Sequence, residues 1–519
     1  MGCLAVNQGT HWSDMHWQLP RFEGLVPSAI AGCRMVAIRS APILWLAIVL
    51  ADCSGGNSST TGMPSGRAAP GGSAAASASG SAAPNSAGSV GAAAGASMTG
   101  ATPPGSGDVG MPGSGSASGT AGAAMGGPAS ANSGAPASAG SSGATAPAQG
   151  KGSLKFVRKD LNRLNLAEAT TFGDYNKDGK VDLLSGPYWW EGPTFDKQHQ
   201  LDAPSCTAAN PAACNCFTCT SLGDWAEYSY DVDGDGWIDA IRISRPGNPS
   251  YWFKNPGMPA VQTDTNWAKS AIGTLTWEQS AFTDMAGKGV PGLVGVYNGA
   301  FGWLDPGTNS PWTFHMIGTA IVGPWEHGIG VGSIQGTGMD FLERDGWWSP
   351  PAAGPTAGAW TMHPQSFKNG NGGSQMFGYD VNGDGQTDVI TALNAHGYGV
   401  AWFEQKNGTF VQHDIVGGPG ATNAGGIPSF SQPHNLLVVD VDGDGLKDII
   451  TGKVFYAHPP GVDPGAADPP VFYVFRLIRG AQGTVTWEPH LVDMEVGLGK
   501  GGLSATDFNG DGLIDIAVA

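Results

Sequence analysis

Between residues 154 and 519 the apolar positions come in short runs separated by Gly- and Asp-rich breaks. No run keeps a 3.6-residue period long enough for an amphipathic helix. The runs are rich in β-branched and aromatic residues, as in VITAL (389–393) and IITGK (449–453). Aromatic runs follow: YWF at 251–253, GWL at 302–304, AWFE at 401–404 and VFYVF at 471–475. A closing run carries an aromatic residue with His three positions later, as in Trp312/His315, Trp360/His363, Phe410/His413 and Trp487/His490. This pattern predicts short antiparallel strands in succession and an all-β fold.

The breaks share a sequence of their own. Residues 440–448 read DVDGDGLKD, placing Asp440, Asp442, Asp444 and Asp448 at relative positions 1, 3, 5 and 9, with Gly445 at 6. Short carboxylates at alternate positions of a tight loop converge on a hard cation such as Ca²⁺, which takes six to eight oxygens, and Leu446 can add its carbonyl. An EF-hand would need Glu at position 12 and a helix beyond; here Thr451 and a β-branched run stand instead. The loop recurs with Asp174, Asn176, Asp178 and Asp182; with Asp231, Asp233, Asp235 and Asp239; with Asp380, Asn382, Asp384 and Asp388; and with Asp507, Asn509, Asp511 and Asp515. Two worn copies, residues 284–292 and 333–340, lack most of the ligands, and Lys288 stands where a carboxylate belongs. Five of the seven copies are therefore competent for calcium. Each belongs to a unit of roughly 50–65 residues, the length of a four-stranded propeller blade.

These loops and runs resemble the FG-GAP/VCBS repeats that form the blades of integrin α-subunit heads. The resemblance covers about 154–519 and implies a seven-bladed β-propeller, with each calcium loop joining the innermost strand to the next. It also implies that the segment from Phe156 to Lys159 completes the last blade, whose own third strand would lie beyond Ala519.

The formal charge is −18, and the five intact loops hold 17 carboxylates, so five dications would bring the charge to about −8. Such acidity excludes a nucleic-acid partner, which demands a basic face. Residues 54–150 are almost wholly Gly, Ala, Ser and Pro, too poor in apolar surface to offset their ordering entropy, and predict a disordered tether ahead of a folded 151–519. Residues 1–34 show no pattern and Met35 is the expected true start. From there Arg39 and the apolar Ile43–Leu50 read as an export signal too short to span a bilayer. The stretch ending at Cys53 resembles a bacterial lipobox, which implies lipidation of Cys53, a lipid anchor as the contact with a membrane, and an outer-membrane or cell-surface location. Cys206, Cys214, Cys216 and Cys219 sit in one insertion; in an exported chain two disulfides are the default, with a zinc site as the alternative.

Propeller loops opposite the calcium rim converge on the axis. The segments expected there include Trp277-Glu278, Trp325-Glu326-His327, Asn394-Ala-His396, Gln432-Pro-His434 and Tyr456-Ala-His458. Setting aside the repeated outer-strand histidines, and His199 in the insertion, leaves His327, His396, His434 and His458 on one face beside Glu326 and Lys453. Neutral imidazoles with a carboxylate suit a transition metal such as zinc. Trp189 and Trp190 in PYWWEGP are placed in an axial loop, where stacked aromatics beside carboxylates could hold sugar rings. The segments WEHGIGVG (325–332), LNAHGYGVAWFEQ (393–405) and residues 430–458 resemble the propeller part of the fungal aldos-2-ulose dehydratases. That likeness implies a metal-dependent lyase on dicarbonyl sugars, with His396 or His434 as base and a metal or Lys453 as electrophile. The sequence thus predicts an exported, calcium-stabilised propeller that binds carbohydrate or a surface protein, with the lyase as the alternative.

Overall fold

The computed structural model describes residues 2–7, 154–162, 167–204, 225–263, 266–320, 323–454, 457–458, 461–495, 497–499 and 502–519. The expected start at Met35, the export segment, Cys53, the tether over 54–150 and the four clustered cysteines lie outside these residues. Among the described residues no helix is long and apolar enough to cross a membrane.

Among the described residues, four sheets are self-contained antiparallel meanders of four strands. The first holds Thr171–Gly173, Asp182–Ser185, Tyr188–Trp190 and Gln198–Gln200. The second holds Ala226–Tyr230, Asp239–Ile243, Pro249–Lys254 and Ala268–Thr274. The third holds Ala281–Thr283, Gly292–Tyr297, Ala300–Asp305 and Thr313–Thr319, and the fourth Leu436–Val439, Asp448–Gly452, Phe472–Arg479 and Val485–Asp493. Each is a propeller-type blade. Its first two strands are short and mostly buried, as in the BBB and BBBB patterns of the first sheet, while its fourth is solvent-facing, as in Thr313–Thr319.

The expectation of a seven-bladed propeller is corrected by the sheet count. Beside the four discrete blades stands one eight-stranded sheet running from Ile329–Gly332 to Thr409–Val416. Here two meanders fuse edge to edge through parallel pairing of Gly330 with Met376 and Val331 with Phe377. Glycine explains the fusion. A Cβ on Gly330 would lie 1.8 Å from the Met376 carbonyl oxygen, and one on Gly332 2.7 Å from the Gly378 Cα. With those side chains absent, two backbones approach closely enough to hydrogen-bond where bulkier residues would hold neighbouring blades apart. The sixth sheet joins distant parts of the chain, in the order Phe156–Asn162, Gly2–Asn7, Asp515–Val518 and Leu503–Thr506. Gly2–Asn7 therefore separates Phe156–Asn162 from Asp515–Val518, a role that nothing in residues 1–34 announced.

Third and fourth strands are tied by a repeated aromatic stack. Trp303 lies on His315 with ring centroids 4.8 Å apart, Trp347 on His363 at 3.8 Å and Trp402 on His413 at 4.4 Å. Trp189 makes the same stack on His199 at 4.3 Å and pairs with Leu184 as Trp303 pairs with Val294. Trp189 is fully buried and Trp190 nearly so. Both are core strand residues rather than residues of an axial loop, and His199 belongs to the repeated outer strand.

Candidate metal centre

Two kinds of ligand cluster stand on this frame. The first is the acidic loop between the first and second strands of a sheet. Asp440 accepts backbone N–H bonds from Gly443, Asp444 and Gly445 at 2.8–3.1 Å, a curl that needs the left-handed Gly445 at φ 89°. Asp448 begins the second strand, is fully buried, and accepts from Val441 and Leu477 at 2.9 Å each. It thereby ties the loop to the third strand. Asp182, Asp239 and Asp388 repeat this arrangement. Burial pushes the carboxyls of Asp182, Asp239 and Asp388 up to about 7 and that of Asp448 up to about 8.

Carboxylate oxygens of Asp231, Asp233 and Asp239, and of Asp440, Asp442 and Asp448, gather within 4.8 Å of one another, spacing that could hold a metal ion. Basic side chains from the third strands share these clusters. Arg476 lies 2.5 Å from Asp442 and 3.3 Å from Asp444, and Lys254 contacts Asp233 and Asp235.

The second cluster is assembled from segments far apart in sequence. Glu278 and His327 each lie just before the first strand of a four-stranded run, with Glu278 N–H donating to the Glu326 carbonyl at 3.1 Å. His434 stands in the same position before Leu436–Val439, while His396 comes from the turn after Asp388–Ala392. Their polar atoms meet at one point. His327 Nε2 is 3.0 Å from Glu278 Oε2 and 3.1 Å from His434 Nε2, and His434 Nε2 is 3.2 Å from Glu278 Oε2. The three atoms make a nearly equilateral triangle. Bonds of 2.0–2.1 Å from a tetrahedral zinc put neighbouring ligand atoms about 3.3 Å apart, so the triangle has the shape of one face of such a site. The ring of His396 packs 4.7 Å from that of His327 and 5.2 Å from that of His434, and all three histidines offer nitrogens within 4.8 Å of one another.

The electrostatics suit ligation. Burial lowers His327 below its ordinary value and, together with the neighbouring imidazoles, takes His396 to about 3. Burial would raise Glu278, but its contacts with His327 and His434 outweigh that and hold it well below the usual carboxylate range. A carboxylate oxygen facing imidazole nitrogens is a donor set of the kind that binds a transition-metal dication. Asp463 lies 3.5 Å from His396 Nδ1 and is itself held by Gln432 Nε2 at 2.8 Å. His458 stacks on His396 at 4.4 Å and contacts Asp463 at 3.0 Å, so His396, His458 and Asp463 form a second group that could hold a metal. The centre is closed on one side by the buried His327 and His434; on the other, the His396 side chain is 20% exposed and that of His458 48%.

Other residues named from sequence stand elsewhere. Glu326 does not join the histidines; it pairs with Arg344 at 2.5 Å. Lys453 is buried with its ammonium on the carbonyls of Val454 and Ala466, bracing the turn beyond its strand. Glu278 takes the carboxylate role that sequence reasoning gave to Glu326. The two were indistinguishable, since each follows a tryptophan before a first strand. Asp463 and Gln432 gave no comparable signal.

Comparison with known proteins gives a limited frame. A family described as FG-GAP-like repeat matches residues 380–451. No curated protein matches. Among solved structures, the Vibrio cholerae biofilm matrix protein Bap1 is similar at 16% identity and a TM-score of 0.27, over 50% of this chain and 39% of that one. The chain thus spans about two fifths of Bap1. An Aleuria aurantia lectin in complex with α-methyl-L-fucoside is similar at 10% identity and a TM-score of 0.30, over 64% of this chain and 91% of the lectin. The resemblance drawn from sequence is corrected accordingly. The repeat match is confined to residues 380–451 rather than 154–519, and the sheets do not count as seven blades, so neither the seven-bladed head nor the aldos-2-ulose dehydratase likeness is upheld. The lyase reading, with His396 or His434 as base and a metal or Lys453 as electrophile, loses the likeness that suggested it.

Proposed function

We propose that this chain is an exported, lipid-anchored surface protein whose described domain binds carbohydrate at a transition-metal centre held by Glu278, His327, His396 and His434. The observation that carries the reading is the 3.0–3.2 Å triangle of Glu278, His327 and His434, with His396 beside it on the one side open to solvent. Structural metal sites are closed, whereas sites that receive a ligand keep an accessible position. A bound zinc, or a metal of similar preference, supplies a coordination position for a ligand oxygen. The neighbouring side chains fix its orientation, with His458 stacked on the His396 ring. The five acidic loops are read as calcium sites that stiffen the turns between first and second strands, with Cys53 as the anchor. A surface protein is the other class of partner.

The test is glycan-array binding by the full-length protein, before and after the transition metal is removed by a chelator that spares calcium. Binding that disappears with the metal and returns with zinc supports the proposal. Binding indifferent to the metal overturns it.

A further inference from the structure

Next to the metal centre, Trp325 combines two properties that rarely occur together. Its indole is 36% exposed, while its backbone sits at φ 69°, the left-handed region that a bulky aromatic residue occupies only at a cost of roughly 1–2 kcal/mol. Glycine would fit there without strain. The fold therefore holds a tryptophan at the surface against its backbone preference, two residues before His327.

What surrounds the ring indicates what it receives. The Arg245 guanidinium lies 4.6 Å from the Trp325 ring centroid, and Trp225 packs edge-on at 5.8 Å. Arg242, three residues earlier, is buried and paired with Asp202 and Glu227. Arg245 is only half-buried and has no carboxylate in ion-pair range among the described residues, in a chain of net charge −18. The loop is fixed in place. Gly247 N–H donates to the Leu275 carbonyl, Trp325 N–H to that of Thr276, and Glu278 N–H to that of Glu326. The Arg245 and Trp325 segments are thus bonded side by side to the segment that ends in the metal-facing Glu278.

An aromatic face takes the C–H side of a pyranose, and a guanidinium left without an acid recognises a carboxylate through its planar fork. We infer that Trp325 and Arg245 form a subsite for a uronic acid, a pyranose carrying a carboxylate, within the carbohydrate site proposed above. The inference rests on that reading and narrows it to acidic sugars.

The test is calorimetric titration of the full-length, zinc- and calcium-loaded protein with glucuronate, galacturonate and mannuronate trisaccharides and their methyl esters. Zinc content and melting temperature are measured on the same samples. At least one acid is expected to bind tenfold or more tightly than its ester, and Arg245→Gln to abolish that preference. Trp325→Gly is expected to weaken acid and ester alike by tenfold or more, with zinc retained and no fall in melting temperature, because glycine adopts φ 69° freely. A tryptophan that served packing alone would instead lower the melting temperature and leave the affinities for acid and ester unchanged. Equal binding of acid and ester, no binding of any, or an unaffected Trp325→Gly protein overturns the inference. Zinc-dependent binding of neutral glycans only would overturn it and leave the metal-centred reading standing. Acid-selective binding by a protein without zinc would do the reverse.

Discussion

The acidic loops and the histidine cluster hold their ligand atoms in opposite ways. In residues 440–448 every candidate oxygen comes from nine consecutive residues, and Asp440 is shaped by N–H groups of its own loop. At the histidine cluster, Glu278, His327, His396 and His434 come from four separate turns and meet only because the sheets bring those turns together. The loops recur, each with an exposed tip and a buried ninth-position carboxylate; among the described residues the histidine cluster occurs once and is largely buried. A repeated local site can stiffen a fold wherever it occurs. A single site that draws on distant turns reports on the fold as a whole and leaves room for a ligand of its own.

The largest expected effect tests the loops as cation sites. Removing calcium from the full-length protein at pH 7.5 should lower the melting temperature by more than about 10 °C, since each site filled at a hundred times its dissociation constant contributes about 2.7 kcal/mol. Calcium should restore it and magnesium should not, because magnesium demands a tighter octahedron and sheds its water reluctantly. An unchanged melting curve would leave the loops as ordinary turns.

Next in size, Asp448→Ala should cost about 3 kcal/mol in urea unfolding even without calcium, because it strands two buried N–H groups, of Val441 and Leu477. Asp440→Ala, in the exposed part of the same loop, should cost clearly less in calcium-free protein. Equal losses would contradict the division between the buried and exposed carboxylates.

A smaller effect lies in pH. Asp182, Asp239 and Asp388 near 7 and Asp448 near 8 stand above the unfolded value of about 4. At these four carboxyls the folded, calcium-free chain therefore binds more protons than the unfolded chain between pH 4 and 8. The stability they contribute should fall as pH rises through that window. Calcium must displace those protons, so its apparent affinity should rise over the same range and level off above about pH 8. Calcium affinity that is flat from pH 5.5 to 8 would contradict this.

The smallest expected effect is at Glu326. Because its carboxylate is engaged with Arg344, Glu326→Gln should change zinc affinity less than about threefold, whereas Glu278→Gln should weaken it at least as much as the 10–100-fold typical of losing an outer-shell partner. Competition against a zinc-sensitive dye reads both, and a reversed order would return the site to the glutamate that sequence favoured.

How much could be read from sequence follows the same division. The loops were legible because nine adjacent residues carry the whole pattern, and strands were legible because β-branched runs follow each loop. His327, His396 and His434 emerged by subtracting the histidines that recur on outer strands. Glu278 could not be told from Glu326, because the difference is the position of Arg344, a tertiary fact. Trp189 was misplaced because the doubled tryptophan of PYWWEGP hid its register with Trp303 and Trp402, and with it the role of His199. Fusion of two expected blades into one sheet turns on Gly330, Gly332 and Gly378, which read in sequence as ordinary strand glycines.

The most direct test of the metal centre is elemental analysis by mass spectrometry of the full-length protein beside a Glu278→Ala/His434→Ala variant, both purified without chelators. The account predicts one transition-metal ion per chain in the wild type, lost in the variant, with calcium content the same in both. Calcium alone in both proteins, or a transition metal that survives the double substitution, would contradict it.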